Sequence, residues 1–353
     1  MFNGKEARAM AKRINLALQG GGAHGAFTWG VLDRLLQDTD IEIAAISGTS
    51  AGALNAAALK AGWARAGAQG ARVMLDRVWH QVGAVHDLRL TGWIAQALPP
   101  VGMINSWIEN LMPVSPMDVA ALVTSPYQYG PLYRNPLEPV VSSLNYTEVC
   151  ATDGPDLHIA ATNVRTGKIR VFSGEEVTPD VILASACLPT LFRAVEFRDP
   201  RTGEIEAFWD GGYTGNPALF PLFRPDLPRD VVIVNINPRR RDEVPQTPQE
   251  IQNRINEISF NSSLLRELRA IHFVRELIAE GRMEQGSMKD VLVHMIADDD
   301  LMNTLSVTSK LTPTPYLLHS LKVAGRKACE SFLVAHKAKL NEEATVNLEQ
   351  MFG

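Results

Sequence analysis

Apolar residues along this chain fall into short blocks that alternate with stretches of helical spacing. Asn15–Gln19 (NLALQ) reads as a short buried strand, a glycine cluster follows, and Ala26–Leu36 spaces its apolar residues for one face of a helix. The pattern then repeats, with Ile41–Ser47 (IEIAAIS) as a strand and Ala51–Ala66 as an alanine-rich helix. Two strand–turn–helix units in succession predict an α/β chain with a parallel sheet covered by helices. Farther on, Leu157–Val164 and Lys168–Phe172 flank Arg165-Thr166-Gly167 and predict a β-hairpin. Ile205–Trp209 and Val231–Ile236 are further strands, and Val291–Ile296 is a late one. Residues 249–283 read as mostly helical with charges of both signs, and Pro315–Leu340 as a terminal helical region. No internal repeat and no Gly/Ser linker cuts the chain. It therefore reads as a single domain over 1–353, with 250–353 a helical C-terminal extension.

Composition narrows the function classes. A chain of 353 residues buries a sizeable core without disulfides or structural metals. The net charge of −5 makes nucleic acid a poor partner for the surface as a whole. Cys150, Cys187 and Cys329 form no CxxC pair and no cluster with zinc-ligand spacing, so reduced thiols and a cytoplasmic protein without a metal are expected. The basic N-terminus is followed by an apolar stretch, Ile14–Leu18, too short for a signal peptide. The two long uncharged stretches, Ile14–Leu32 and Leu90–Ile108, are broken by glycines and by prolines and polar residues respectively. Neither suits a spanning helix, although contact at a membrane surface is compatible with both.

Residues 90–147 change the picture most. These 58 positions hold four charged residues, Glu109, Asp118, Arg134 and Glu138, and eight of the chain's 21 prolines. That density of proline excludes long helices and central strands. The segment reads either as an irregular connector packed on the core or as a cap that presents apolar surface to a greasy substrate.

The candidate chemistry lies in the turns. Gly48-Thr49-Ser50-Ala51-Gly52 is a G-x-S-x-G motif between a strand and a helix. That context is a nucleophile elbow, with Ser50 on a tight turn and Ala51 opening a helix whose free N–H groups favour negative charge. Ser50 as a plain helix N-cap is the competing reading. Gly20-Gly21-Gly22-Ala23-His24-Gly25 also follows a strand and opens a helix, and formally contains G-x-G-x-x-G. A dinucleotide-binding regulator would need an acid at the end of the next strand, whereas Asp40 and Glu42 lie at its start. The other reading is an oxyanion turn in which successive N–H groups converge on one oxygen.

A serine nucleophile needs a base, and two arrangements are open. One is a triad with His272, His294 or His319. The other is a dyad with Asp210, which directly follows the strand Ile205–Trp209 and precedes Gly211 and Gly212. Burial against apolar neighbours would raise the Asp210 pKa and improve it as a base. Asp-Gly-Gly is also a common plain turn. Arg239-Arg240-Arg241, followed by Asp242 and Glu243, reads as a solvated loop.

Four motifs together carry a resemblance. QGGGAHG at 19–25, GTSAG at 48–52, ASACLPTLF at 184–192 and DGG at 210–212 stand in the order and spacing of bacterial patatin-like phospholipases, the lipid acyl hydrolase family. The resemblance covers about the first 220 residues. It implies a three-layer α/β/α sandwich with a mostly parallel sheet and a Ser–Asp dyad without a catalytic histidine or a cofactor. Ser50 would be the nucleophile, Asp210 the base and Gly20–Gly22 the oxyanion donors, with Gly25 and Ala51 beside them. Gly48, Gly52, Gly211 and Gly212 would support the turns. The substrate would be a lipid or another acyl ester, as a phospholipase, esterase, depolymerase or thioesterase would cleave. The chain departs from the family at His24, where many members carry Arg or Lys. A histidine there would change charge near neutral pH, or merely hydrogen-bond the loop.

Overall fold

A computed structural model of the chain describes residues 11–87, 125–128, 133–284, 286–305 and 307–352. Its strands are β1 (Lys12–Leu18), β2 (Ile41–Gly48), β3 (Asp156–Asn163), β4 (Ile169–Ser173), β5 (Val195–Arg198), β6 (Ile205–Asp210), β7 (Asp230–Val234) and β8 (Leu292–Ile296). They form one sheet in the order β5-β6-β3-β2-β1-β7-β8, with β4 also on β3. β1, β2, β3, β7 and β8 are parallel; β4 and β6 run antiparallel to β3, and β5 antiparallel to β6.

Alternation along the central strands sorts the two faces. Ile14, Leu16 and Leu18 of β1 and Val232 and Val234 of β7 point into one buried cluster with the helices Gly25–Leu35, Ala51–Asp87 and Pro315–His336. Ala17, Val231 and Ile233 face a second cluster with Leu264, Leu268 and Ile271 of the helix Pro248–Ala279. The sheet is thus covered on both faces, as a three-layer α/β/α sandwich. The C-terminal third is not purely helical: it adds β8 to the sheet edge and lays Pro315–His336 against Gly25–Leu35.

The elbow helix breaks where its expected end lies, and a second limb follows it. It kinks at Ala66 and Gly67, where the backbone leaves the helical region, and continues to Asp87. Trp79 Nε1 donates to Asn55 Oδ1 at 2.8 Å. In an unbroken helix those residues would lie about 36 Å apart, so the second limb doubles back on the first. Local periodicity does not carry β5 or the helix Pro179–Ser185, because four and seven residues are too few for a repeat to register.

Most of the low-charge segment 90–147 lies outside the described residues. Of its described part, Val140, Val141 and Leu144 are buried in the first cluster. No helix among the described residues is long and apolar enough to cross a membrane.

Candidate active site

The meeting of Ser50 and Asp210 follows from strand register. β4 pairs with residues 158–162 of β3 and so occupies one edge of that strand. β2 and β6 must share the other edge. β2 runs along it until Gly48 pairs with Ile159, and β6 comes from the opposite direction until Asp210 pairs with Ala161. Two strand ends therefore meet head to head, with Ala160 between their last partners. Each end feeds a turn, one carrying Ser50 and the other beginning at Asp210.

Ser50 is buried and has φ +55°, a left-handed conformation that few non-glycine residues adopt. The turn is held by the Gly52 amide on Thr49 O (2.8 Å), by the Thr49 hydroxyl on Gly215 O (2.7 Å), and by the Ser50 amide on Ser185 Oγ (2.9 Å). Gly48 and Gly52 pack against each other, since a Cβ on Gly48 would meet Gly52 O at 2.6 Å.

Asp210 is fully buried. Its amide donates to Cys187 O at 2.8 Å and its carbonyl accepts from the Thr162 hydroxyl at 2.8 Å. Oδ1 accepts from the Gly212 amide at 2.7 Å, whereas Oδ2 is buried without a hydrogen-bond partner. Burial pushes the carboxyl up to about 7, and the Gly212 amide and the nearby Ser50 hydroxyl only partly oppose it. The Ser50 hydroxyl is thus near enough to favour the carboxylate without completing a hydrogen bond to Oδ2. The Cys187 thiol and Tyr213 phenol beside Asp210 are each pushed up to about 12, mainly by burial. Neither titrates in the range of the aspartate. Gly211 and Gly212 are both buried, against Ala160 and Phe260 respectively.

The glycine turn lies against the elbow. A Cβ on Gly20 would meet Ser50 Cβ at 2.5 Å, and one on Gly25 would meet Ala51 Cβ at 2.5 Å. One expected donor is corrected here: the Gly20 amide is already committed to Asn216 Oδ1 at 2.7 Å, so Gly20 contributes by its missing side chain. The Gly21, Gly22 and Ala51 amides have no hydrogen-bond partner among the described residues. Gly22, at φ +58°, is covered by the main chain of Lys310.

A buried amide network, unforeseen from the sequence, holds this turn. Asn237 Nδ2 donates to Gly20 O at 2.7 Å. Gln19 Oε1 accepts from the amides of Ile236 (2.9 Å) and Asn237 (3.1 Å), and Asn261 Nδ2 donates to Pro238 O at 3.2 Å. Amides embedded in the apolar run VVIVNINP (231–238) were the available signal, because a buried amide requires partners. Asn216→Ala leaves the Gly20 amide unpaired, and a urea titration is expected to show a loss of about 1–3 kcal/mol in stability. A loss within error of zero would show that the network does not brace the turn.

Of the two readings of His24, the structure fits a neutral hydrogen-bonding ring and not a charge that changes near neutral pH. Its ring is buried, with Nε2 against Ser309 Oγ at 2.8 Å and Nδ1 unpartnered. Burial, reinforced by the Lys310 cation, pushes it down to about 3, so it stays neutral through the physiological range. The cation near this turn is Lys310, whose ammonium donates to Glu257 Oε1 at 2.9 Å. Arg241 also pairs with the buried Glu257, at 2.8 Å, so only part of the Arg239–Arg241 run is a solvated loop. These cations hold the Glu257 carboxyl down at about 2 against the opposing effect of its burial.

The late histidines are occupied elsewhere. His294 Nε2 contacts Asp230 Oδ1 at 2.9 Å, His272 lies 3.5 Å from Glu276, and His319 is exposed on its helix. No group of metal-ligating side chains occurs among the described residues.

The family model described as "Patatin-like phospholipase" matches residues 16–223, more than half of the 353-residue chain. No curated protein matches. Among solved structures, VipD from Legionella pneumophila aligns at 16% identity and a TM-score of 0.40, covering 96% of this chain and 72% of that one. The type III effector protein ExoU aligns at 16% identity and a TM-score of 0.32, covering 92% of this chain; the chain spans about half, 53%, of its length.

Proposed function

Because the chain belongs to the patatin-like phospholipase family, we infer that it is a lipid acyl hydrolase that cleaves carboxylic esters through Ser50 and Asp210. The observation that carries this reading is the head-to-head meeting of β2 and β6 on β3, which delivers a left-handed serine and a buried carboxylate to one point. A carboxylate with a value of about 7 is a competent general base near neutral pH.

In the proposed reaction the Ser50 hydroxyl attacks the ester carbonyl and its proton passes to Asp210. The oxyanion faces the uncommitted amides of Gly21, Gly22 and Ala51. Collapse of the tetrahedral intermediate breaks the ester C–O bond, and Asp210 returns the proton to the departing alcohol or lysolipid. Water, deprotonated by Asp210, then attacks the acyl-enzyme; the bond between Ser50 Oγ and the acyl carbon breaks, Asp210 returns the proton to Ser50, and the fatty acid leaves. These steps call for no cofactor. The proposed substrate is a lipid ester met at a membrane surface, as a peripheral contact.

The test is hydrolysis of phospholipid vesicles, triglyceride, short p-nitrophenyl esters and acyl thioesters by the wild type, with Ser50→Ala as the blank. Phospholipid cleavage above the blank is the expected result. Cleavage of only thioesters or short esters would move the assignment to a thioesterase or esterase using the same residues. Activity that survives in Ser50→Ala would overturn the mechanism.

A further inference from the structure

The block Ala184–Phe192 supplies no group that the hydrolytic steps need, yet it touches both members of the serine–aspartate pair. The helix Pro179–Ser185 starts with proline at its first position, is capped by the Thr178 side chain, and ends on Ser185. Ser185 is completely buried. Its Oγ accepts from the Ser50 amide at 2.9 Å and donates to Ala160 O at 2.7 Å. Ala160 is the β3 residue that lies between the partners of Gly48 and Asp210. Two positions after Ser185, the Cys187 carbonyl accepts from the Asp210 amide at 2.8 Å.

We propose that Ser185 is a positioning residue: its hydroxyl ties the Ser50 amide to β3 and, with the Cys187 carbonyl on Asp210, sets the spacing of nucleophile and base. This rests on the reading of Ser50 and Asp210 as the reacting pair. A residue at φ +55° holds that conformation only where its surroundings over-determine it. The Ser185 bond is one such determinant. A hydroxyl suits the position because it must accept from an N–H and donate to a carbonyl at once. Alanine does neither, and cysteine does both weakly.

The experiment compares full-length wild type, Ser185→Ala and Ser185→Cys. It measures the rate at which a fluorophosphonate probe labels Ser50 between pH 5 and 9, ester kcat and KM, and melting temperature. Ser185→Ala is expected to label and turn over about 10- to 100-fold more slowly, with KM within about twofold, and Ser185→Cys to fall between. The acid limb should move to higher pH, because loosening Ser50 removes one of the two interactions that favour the Asp210 carboxylate. A limb that stays in place while activity falls in step with the folded fraction means a merely structural role and overturns the proposal. So does wild-type labelling in Ser185→Ala. Should that variant fail to fold, the limb shift in Ser185→Cys decides in the same way. A wild type that does not label at Ser50 overturns the nucleophile reading itself, and the positioning role with it.

Discussion

Asp210→Asn is expected to lower kcat for ester hydrolysis by about 10⁴-fold or more and, at the same time, to stabilise the protein above neutral pH. The catalytic loss follows because asparagine cannot take the Ser50 proton, and no histidine among the described residues hydrogen-bonds to Ser50 or Asp210. Ser50→Ala should lose as much, and the double variant no more than either alone, since the two residues act as a unit. The stability gain comes from linkage. Burial raises the folded-state value from 3.8 to about 7, so the native protein binds more protons than the unfolded chain between those limits. Stability from this group is present at low pH and is lost as pH rises toward 7. Asparagine removes the buried charge and can still accept from the Gly212 amide. The melting temperature of Asp210→Asn should match the wild type near pH 4 and exceed it at pH 8 by at least ~2 °C. In the wild type, kcat/KM should fall tenfold per pH unit below about 7 as the base is protonated. A wild-type limb near pH 4 would overturn the raised value of the carboxyl, and an active Asp210→Asn would remove Asp210 from the mechanism.

Gly20→Ala should also damage activity, by a different route. The new Cβ would stand 2.5 Å from Ser50 Cβ and 2.9 Å from Thr49 O. Neither is the far end of a flexible side chain, so the elbow itself must shift. Displacement of a nucleophile by about 1 Å costs on the order of 10²-fold in rate, and overpacking a filled site costs about 1–3 kcal/mol. A kcat at least ~10²-fold lower is therefore expected, together with a measurable drop in melting temperature. Turnover within threefold of the wild type would mean that the turn and the elbow do not bear on each other as described.

How much of this was legible beforehand differs from one residue to the next. The G-x-S-x-G turn and the Asp-Gly-Gly turn could be read directly, because a tight turn after a strand is encoded by a few adjacent residues. The role of Gly20 could not, since Asn216, which takes its amide, lies 196 positions away. His24 shows the same limit. Its type marks a group that titrates near neutrality, but its neutrality comes from burial and from Lys310, neither of which its neighbours in sequence reveal. Ser185 stood inside a recognisable block, yet its task depends on the carbonyl of Ala160 and the amide of Ser50 arriving on either side of it.

Local order in the chain was enough for the alternating strands and helices, the covered parallel sheet, and the serine and glycine turns. Those features arise from periodicity and backbone preference over a handful of residues. The pairing of Ser50 with Asp210 arises elsewhere. It exists because β6 runs against β3 and stops two residues short of the partner of β2, so two distant turns close on one buried point. Register, burial and the commitment of each amide are properties of contacts between remote segments, and they turn a hydroxyl and a carboxyl into a candidate nucleophile and base.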